Sequence, residues 1–424
     1  MAAADRAIPS GPVPDVPLRV LVPYMRGYGG GVRRVLGDGL PRLAAEPGIS
    51  VEYAELCRND EDMADMEGRG VAVNRKVGVP GSGVLSYATG MRRRLDLAAS
   101  VPRLAATAVR SRAWLATGHV VYVHGYRDLL LAELAHIGMA PWARPALVWH
   151  CHGLADRPPR LLRWLARRST AVVAVSASVR QGLEQLGVRP DRIRLVRNAI
   201  DVGEIRRQAA AGVGAPLPAR HGGATLLLPS VAVRADKGPH VAVAALATLP
   251  EDARLWITGE AGDPAGASHR SSLEALAEHL GVAPRVDFIG RRTDIYAVMA
   301  EADVVLVPSL VGEGFGLVAA ESMALGTPVV VSDRGALPEV VEHGVSGLVV
   351  EAGDPEALAG AVMRLTAESG LAGRLAAAGR RRVEESFDYE RWQREVAGVL
   401  REVATRPHRG ADGRPGGWRG APSR

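Results

Sequence analysis

Two carboxylates, Glu313 and Glu321, stand with seven residues between them in V-G-E-G-F-G-L-V-A-A-E-S-M-A-L-G-T-P, which runs from Val311 to Pro328. The apolar run before it, Ala302 to Pro308 (A-D-V-V-L-V-P), reads as a buried parallel strand, and the Ala-rich segment after it as a helix. Gly314 and Gly316 remove side chains where backbone must come close to something. The helix they open starts with unpaired N–H groups and a positive dipole end, which together make an anion site. Glu313 lies in the loop before that site and Glu321 about one turn into the helix. A phosphate held by backbone, with hydroxyl-bearing groups on either side for the two glutamates, fits this layout, and a nucleotide sugar has it.

A departing diphosphate gathers charge, and a helix N-terminus contributes only ~0.3–2 kcal/mol toward holding it. A cation is therefore wanted. Arg234 and Lys237 in S-V-A-V-R-A-D-K-G supply two, on a loop after a strand and before a helix. Two further strands end in His-Gly, His124-Gly125 and His152-Gly153, which puts imidazoles at the carboxyl ends of a parallel sheet, where α/β proteins bind ligands. The loop Tyr24 to Gly31, which ends in three glycines including Gly30 and Gly31, follows the first strand. It reads either as a tight turn onto helix packing or as a contact to phosphate or acceptor. No G-x-G-x-x-G is present, so a dinucleotide site is not expected.

The elements that position these residues alternate strand and helix through both halves, which implies an α/β fold of two facing doubly wound, Rossmann-like domains with ligand in the central cleft. Expected boundaries are a flexible leader at 1–17, an N-terminal acceptor-binding domain at 18–203, and a linker at 204–223. A donor domain at 224–387, a C-terminal helix at 388–404 packing back on the N-terminal domain, and a basic tail at 405–424 follow. Strands are expected at Leu18 to Pro23, Ile49 to Leu56, Val120 to Val123, Ala146 to Trp149 and Ala171 to Val175, and at similar spacing beyond Thr225. Arg58 to Gly83 has no clear pattern and reads as a loop over a site. Arg160, Arg163 and Arg167 fall at i, i+3 and i+7 of a helix with Leu161, Leu162 and Leu165 opposite, a solvated face or one that docks on anionic lipid.

Composition narrows the classes. The 424 residues are 47% hydrophobic and 23% charged, ordinary for a globular protein of two domains. Two cysteines, Cys57 and Cys151, form neither a disulfide framework nor a zinc cluster, which suits a reducing cytoplasm. The net charge of +6 sits largely in the tail, where Arg406, Arg409, Arg414, Arg419 and Arg424 face one Asp412, so nucleic acid is not an expected partner.

The segment E-G-F-G-L-V-A-A-E-S-M-A-L-G-T-P-V-V-V-S-D-R-G-A-L-P-E-V-V resembles the signature of family 4 retaining glycosyltransferases with the GT-B fold. H-G-V-S-G-L-V-V, V-D-F-I-G, A-V-S-A-S-V-R and Asn198 to Asp201 are similar to that family too; the likeness is strong after Ala171 and loose before it. It implies that Glu321 holds the donor ribose and Glu313 the transferred sugar. Backbone of Gly314, Phe315 and Gly316, continuing into Leu317 and Val318, would meet sugar and diphosphate, and Gly290 and Arg291 would receive the base. Arg234 and Lys237 would clamp the diphosphate, and His152 would lie near the sugar. The expected reaction is hexosyl transfer from a nucleotide-diphosphate sugar to a small-molecule or lipid-linked hydroxyl, with retention and with neither metal nor cofactor. It would take place in the cytoplasm or at the inner face of the membrane, with peripheral membrane contact.

The family's arginine stands five residues before its lysine; here that position is Ala232, so Arg234 would have to substitute. A glycosyl phosphorylase, or a nucleotide-sugar hydrolase or epimerase on the same fold, is the alternative. A glycoside hydrolase using the two glutamates would have no need of the glycines or Lys237.

Overall fold

The structure, a computed structural model, describes residues 16–25, 30–56, 60–77, 91–137, 139–154, 158–262 and 264–405. Most of the leader and nearly all of the basic tail lie outside the described residues. Among the described residues, thirteen strands form two parallel sheets. The first contains β1 (Leu18–Tyr24), β2 (Ile49–Glu55), β3 (Ala72–Val73), β4 (Val120–Val123), β5 (Ala146–Cys151), β6 (Ala171–Ala174) and β7 (Ile193–Leu195), in the order β3-β2-β1-β4-β5-β6-β7. The second contains β8 (Thr225–Leu228), β9 (Arg254–Thr258), β10 (Val286–Gly290), β11 (Val304–Val307), β12 (Val329–Ser332) and β13 (Leu348–Val350), in the order β10-β9-β8-β11-β12-β13.

Strands such as V-V-Y-V, A-V-V-A and V-V-V-S are buried at every position, as a parallel sheet covered on both faces demands. Each sheet reverses its winding once, between β1 and β4 in the first and between β8 and β11 in the second. Ligands of such sheets collect outside the carboxyl ends of the strands flanking the reversal.

The chain crosses between the domains twice. Helix Val202–Ala210 occupies the start of the stretch expected to be a linker; Asp201 caps it by accepting from the Glu204 amide at 2.8 Å. Arg206 on this helix reaches the second domain, donating to the Ala324 carbonyl at 3.2 Å and pairing with Glu384. The return crossing lies beside it, where the Ile200 amide donates to the Phe387 carbonyl at 2.9 Å. Helix Tyr389–Thr405 then buries Trp392, Val396, Val399 and Leu400 in the same apolar cluster as Val20, Val22, Val120 and Val148 of the first sheet.

Gly39 explains how this last helix docks. A helix interior disfavours glycine by about 1 kcal/mol relative to alanine, yet a Cβ there would lie 2.6 Å from the Trp392 ring. The bare backbone of helix Gly30–Ala44 is the floor on which the indole rests. Two expectations need correction here: that helix begins at Gly30, within the stretch Tyr24 to Gly31 expected to be loop, and Arg58 to Gly83 contains helix Asp60–Gly68 and β3. Trp392→Ala is expected to cost ~3–5 kcal/mol, as other large-to-small core changes do. Chemical denaturation monitored by circular dichroism measures this, and a loss below 1 kcal/mol would mean that the helix is only loosely attached.

Candidate functional site

Residues that follow four strands border the cleft between the two domains. Gly30 follows β1, His124 follows β4, Lys237 follows β8 and Glu313 follows β11. In the second domain, Gly238 adopts φ +70° and passes so close to the Pro308 carbonyl that any side chain would collide. The Leu310 amide donates to the Asp236 carbonyl at 2.9 Å and locks the two loops together. Lys237 is thereby held against Glu313, Nζ to Oε1 at 2.5 Å, and the Ser309 hydroxyl donates to the same carboxylate oxygen at 2.6 Å.

Glycines set the approach of the domains. Gly314 lies on the backbone of His152 and Gly153, where a Cβ would overlap the His152 carbonyl. Its bare backbone thus serves contact between the domains, in addition to the ligand approach expected of it. Gly316 takes φ +98° and caps helix Leu317–Leu325, and Leu337 fills the space its side chain would need. A Cβ on Gly31 would lie 3.2 Å from Leu317. The N-terminal ends of the Gly30 and Leu317 helices are therefore neighbours, and each start carries unpaired N–H groups and a positive dipole end. Phe315 sends its ring into the core, edge-on to Phe387 at 5.2 Å between centroids, so only its backbone is available to a ligand.

Glu321 is buried and already partnered. Arg34, one turn into the Gly30 helix, reaches across the cleft to its Oε1, and the Tyr296 hydroxyl lies 3.4 Å from the same atom. The Arg34 guanidinium also sits over the Tyr296 ring at 5.3 Å. Burial pushes the Glu321 carboxyl above its usual range, and Arg34 partly offsets that. Arg34 also lines a cavity with Tyr24, Arg33, Asp38, Asp62 and Arg69 on the N-terminal side of the cleft. Sequence reasoning missed Arg34 and Tyr296. The available signal for Arg34 was a cation one helical turn past the glycine loop.

His152 packs inside a cluster of imidazoles. Its Nε2 lies 3.0 Å from His124 Nδ1, and its ring stacks on His150 at 4.5 Å with 13° between the planes. The sequence had β5 stop at Trp149; it continues through Cys151, which places His150 within the sheet. Burial lowers the His152 pKa to about 3. His124 and His150 are driven well below the ordinary value by burial, with the neighbouring imidazoles adding to it. His152 is therefore a neutral hydrogen-bonding group across pH 5–8, not a proton donor.

The remaining expected residues are dispersed. Arg234 is exposed and its guanidinium forks onto Asp236 at 2.8 and 3.0 Å. Ala232 pairs with Glu260 as an isolated bridge, and a Cβ on Gly259 would lie 2.9 Å from the Ala232 carbonyl carbon. Gly290 ends β10 at φ +68°, and Arg291 lies 3.8 Å from Glu260 on the surface. Leu317 and Val318 are half-buried in the first turn of the helix.

Two parallel-sheet domains in contact, with glycine loops, a lysine and two glutamates in the cleft, define a protein of the GT-B architecture. Residues 29–204 match the description Glycosyltransferase Family 4 and residues 220–382 match Glycosyl transferases group 1. The chain belongs to this family of glycosyltransferases. It is 30% identical over 305 residues to D-inositol 3-phosphate glycosyltransferase of Mycobacterium tuberculosis and of Mycobacterium bovis, covering 66% of this chain. The chain spans 59% of the length of those relatives. Among solved structures it is similar to Anabaena HepE in complex with UDP-glucose, with TM-score 0.73 and 21% identity over 91% of this chain and 100% of that one. Sucrose-phosphate synthase from Thermosynechococcus elongatus gives TM-score 0.71 and 22% identity over 91% and 99%.

Burial of the histidines has a measurable consequence. An unfolded histidine titrates near 6.5, so below that pH the unfolded chain binds protons that the folded cluster refuses. The contribution of His152 is therefore complete above about pH 6.5 and falls as the pH drops, by up to about 1.4 kcal/mol per unit. The stability gap between the protein and a His152→Gln variant should narrow from pH 7 to pH 5 in urea denaturation. A gap independent of pH would contradict the buried, neutral state.

Proposed function

We propose that the protein transfers a hexose from a nucleotide-diphosphate sugar to a hydroxyl acceptor, with retention at the anomeric carbon and without a metal ion. The observation that carries this reading is the Lys237–Glu313 pair, fixed at the carboxyl ends of β8 and β11 beside two neighbouring helix starts. A nucleotide diphosphate needs such a cation and such amides, and a sugar beside it needs the carboxylate. The activity named for the mycobacterial relatives and the UDP-glucose bound to HepE lend it support.

On this reading the helix starts at Gly30 and Leu317 neutralise the diphosphate as the glycosidic bond breaks, because their dipoles are aimed before charge develops. Lys237 turns from Glu313 to the leaving phosphate, and Arg234 leaves Asp236 to help. Glu313 then accepts from a sugar hydroxyl. Glu321 accepts from the ribose hydroxyls once Arg34 yields, and the base lies near Gly290 and Arg291. His152, neutral, hydrogen-bonds the sugar. The acceptor arrives on the face the diphosphate leaves, and a donor phosphate oxygen takes its proton.

Incubation with a panel of nucleotide hexoses and simple polyols tests this, with product configuration read by NMR. Glu321→Ala is expected to reduce donor use roughly ten- to a hundredfold, the worth of a charge-assisted hydrogen bond. Lys237→Ala should reduce turnover by about a hundredfold or more. EDTA should leave the rate unchanged. An inverted product rejects retention, and hydrolysis of a plain glycoside with no use of nucleotide sugar rejects the transferase reading. Unchanged turnover in Arg234→Ala removes that residue from the clamp.

A further inference from the structure

Helix Arg160–Arg168 (R-L-L-R-W-L-A-R-R) buries only Leu162, Leu165 and Ala166. Leu161, expected among the buried leucines, is instead 50% exposed, as is Trp164 one turn on. Arg160, Arg163, Arg167 and Arg168 share that outer surface. The surface continues onto the end of helix Tyr126–His136, where Ile137 is 61% and Trp142 79% exposed and Arg144 follows. Arg168 joins the two parts, pairing with Glu133 at 2.8 Å while its guanidinium lies over the Trp164 ring at 4.7 Å. Arg144 and Arg168 also both act on the buried His136, whose pKa burial and these two cations bring to about 4.

Two indoles and two aliphatic side chains thus stand in water among five arginines, with Glu133 already taken by Arg168. Among the described residues, Arg160, Arg163 and Arg167 have no carboxylate within ion-pair distance. Solvated helix faces carry charge without exposed tryptophan. Nucleic-acid surfaces carry positive stripes without exposed leucine and isoleucine. Guanidiniums level with phosphate headgroups and indoles at the acyl boundary are the arrangement of a helix lying in a membrane interface. No helix among the described residues is long and apolar enough to span a bilayer, so attachment here is from one side.

We propose that this face docks the protein on an anionic phospholipid surface, with the helix Arg160–Arg168 lying in the interface and Ile137 and Trp142 inserted beside it. On the transferase reading, which this step alone rests on, docking through the first domain suits a lipid-linked hydroxyl acceptor.

The test is co-sedimentation of the full chain, without donor, with phosphatidylcholine vesicles containing phosphatidylglycerol or lacking it, together with tryptophan emission. Binding is expected only with the anionic lipid, with a blue shift. Arg160→Glu, Arg163→Glu and Arg167→Glu combined should weaken it on the order of a hundredfold. Leu161→Ser with Trp164→Ser should shrink the blue shift, leaving only the part due to Trp142, and weaken binding about tenfold or more. Both variants should keep the circular dichroism and the nucleotide-sugar turnover of the parent, which separates lost docking from lost folding.

Equal binding to uncharged vesicles, or anionic binding that both variants leave intact, as it would be if the arginine-rich tail alone were responsible, overturns the proposal. So does a patch-dependent dimer in size exclusion, or tighter patch-dependent binding to RNA than to vesicles. Failure of vesicle binding with turnover intact rejects docking alone, and docking without turnover rejects the transferase reading alone.

Discussion

The cleft depends on a contact in which backbone meets backbone. Gly314 of the second domain rests on His152 and Gly153 of the first, and any Cβ at 314 would occupy the position of a carbonyl. With the domains this close, Gly31 and Leu317 touch, two helix starts are neighbours, and Lys237 and Glu313 line the same opening. Interactions from the first domain's helices assist from the flank, where Glu339 accepts from the Ala177 and Ser178 amides at 2.8 Å each. This glutamate caps a helix of the other domain, a role that ordinarily belongs to a residue of the helix's own chain segment.

Much of the fold was legible because parallel strands covered on both faces have to be continuously apolar. β4, β8, β9 and β11 appear in the chain as short runs of valine, leucine and isoleucine closed by glycine, histidine or proline. The placement of the second domain's candidate residues was legible for a related reason: they lie in the loops that follow the strands presenting them. Lys237 and Glu313 each follow a recognisable strand by a few residues.

What escaped the sequence involves pairs remote along the chain. Arg34 and Glu321 are 287 positions apart, and neither residue's surroundings announce the other. The stretch from Arg58 hid a helix because Asp60, Glu61, Asp62 and Asp65 suppress its apolar periodicity; only Met63 and Met66 mark the face it buries with Asp62. Leu161 was misplaced because a nine-residue helix with four arginines, three leucines and a tryptophan offers no unique apolar side. The Val202 helix escaped because alanine and arginine around it give no contrast, while its position is held by tertiary bonds such as Arg206 to Ala324.

On the proposed reading, in which Glu321 receives the donor ribose, the Arg34–Glu321 pair bears on which nucleotides the cleft would admit. A carboxylate this deeply buried would be costly left bare, and Arg34 spares the empty protein that cost. If a ribose takes Glu321, it does so by exchange, so the selectivity of the site is set by what the incoming sugar offers relative to a guanidinium. A vicinal diol can engage both carboxylate oxygens, whereas a 2′-deoxyribose presents one hydroxyl and exchanges a charged partner for a single neutral bond. Discrimination between ribo- and deoxyribonucleotides would then follow from competition within the protein.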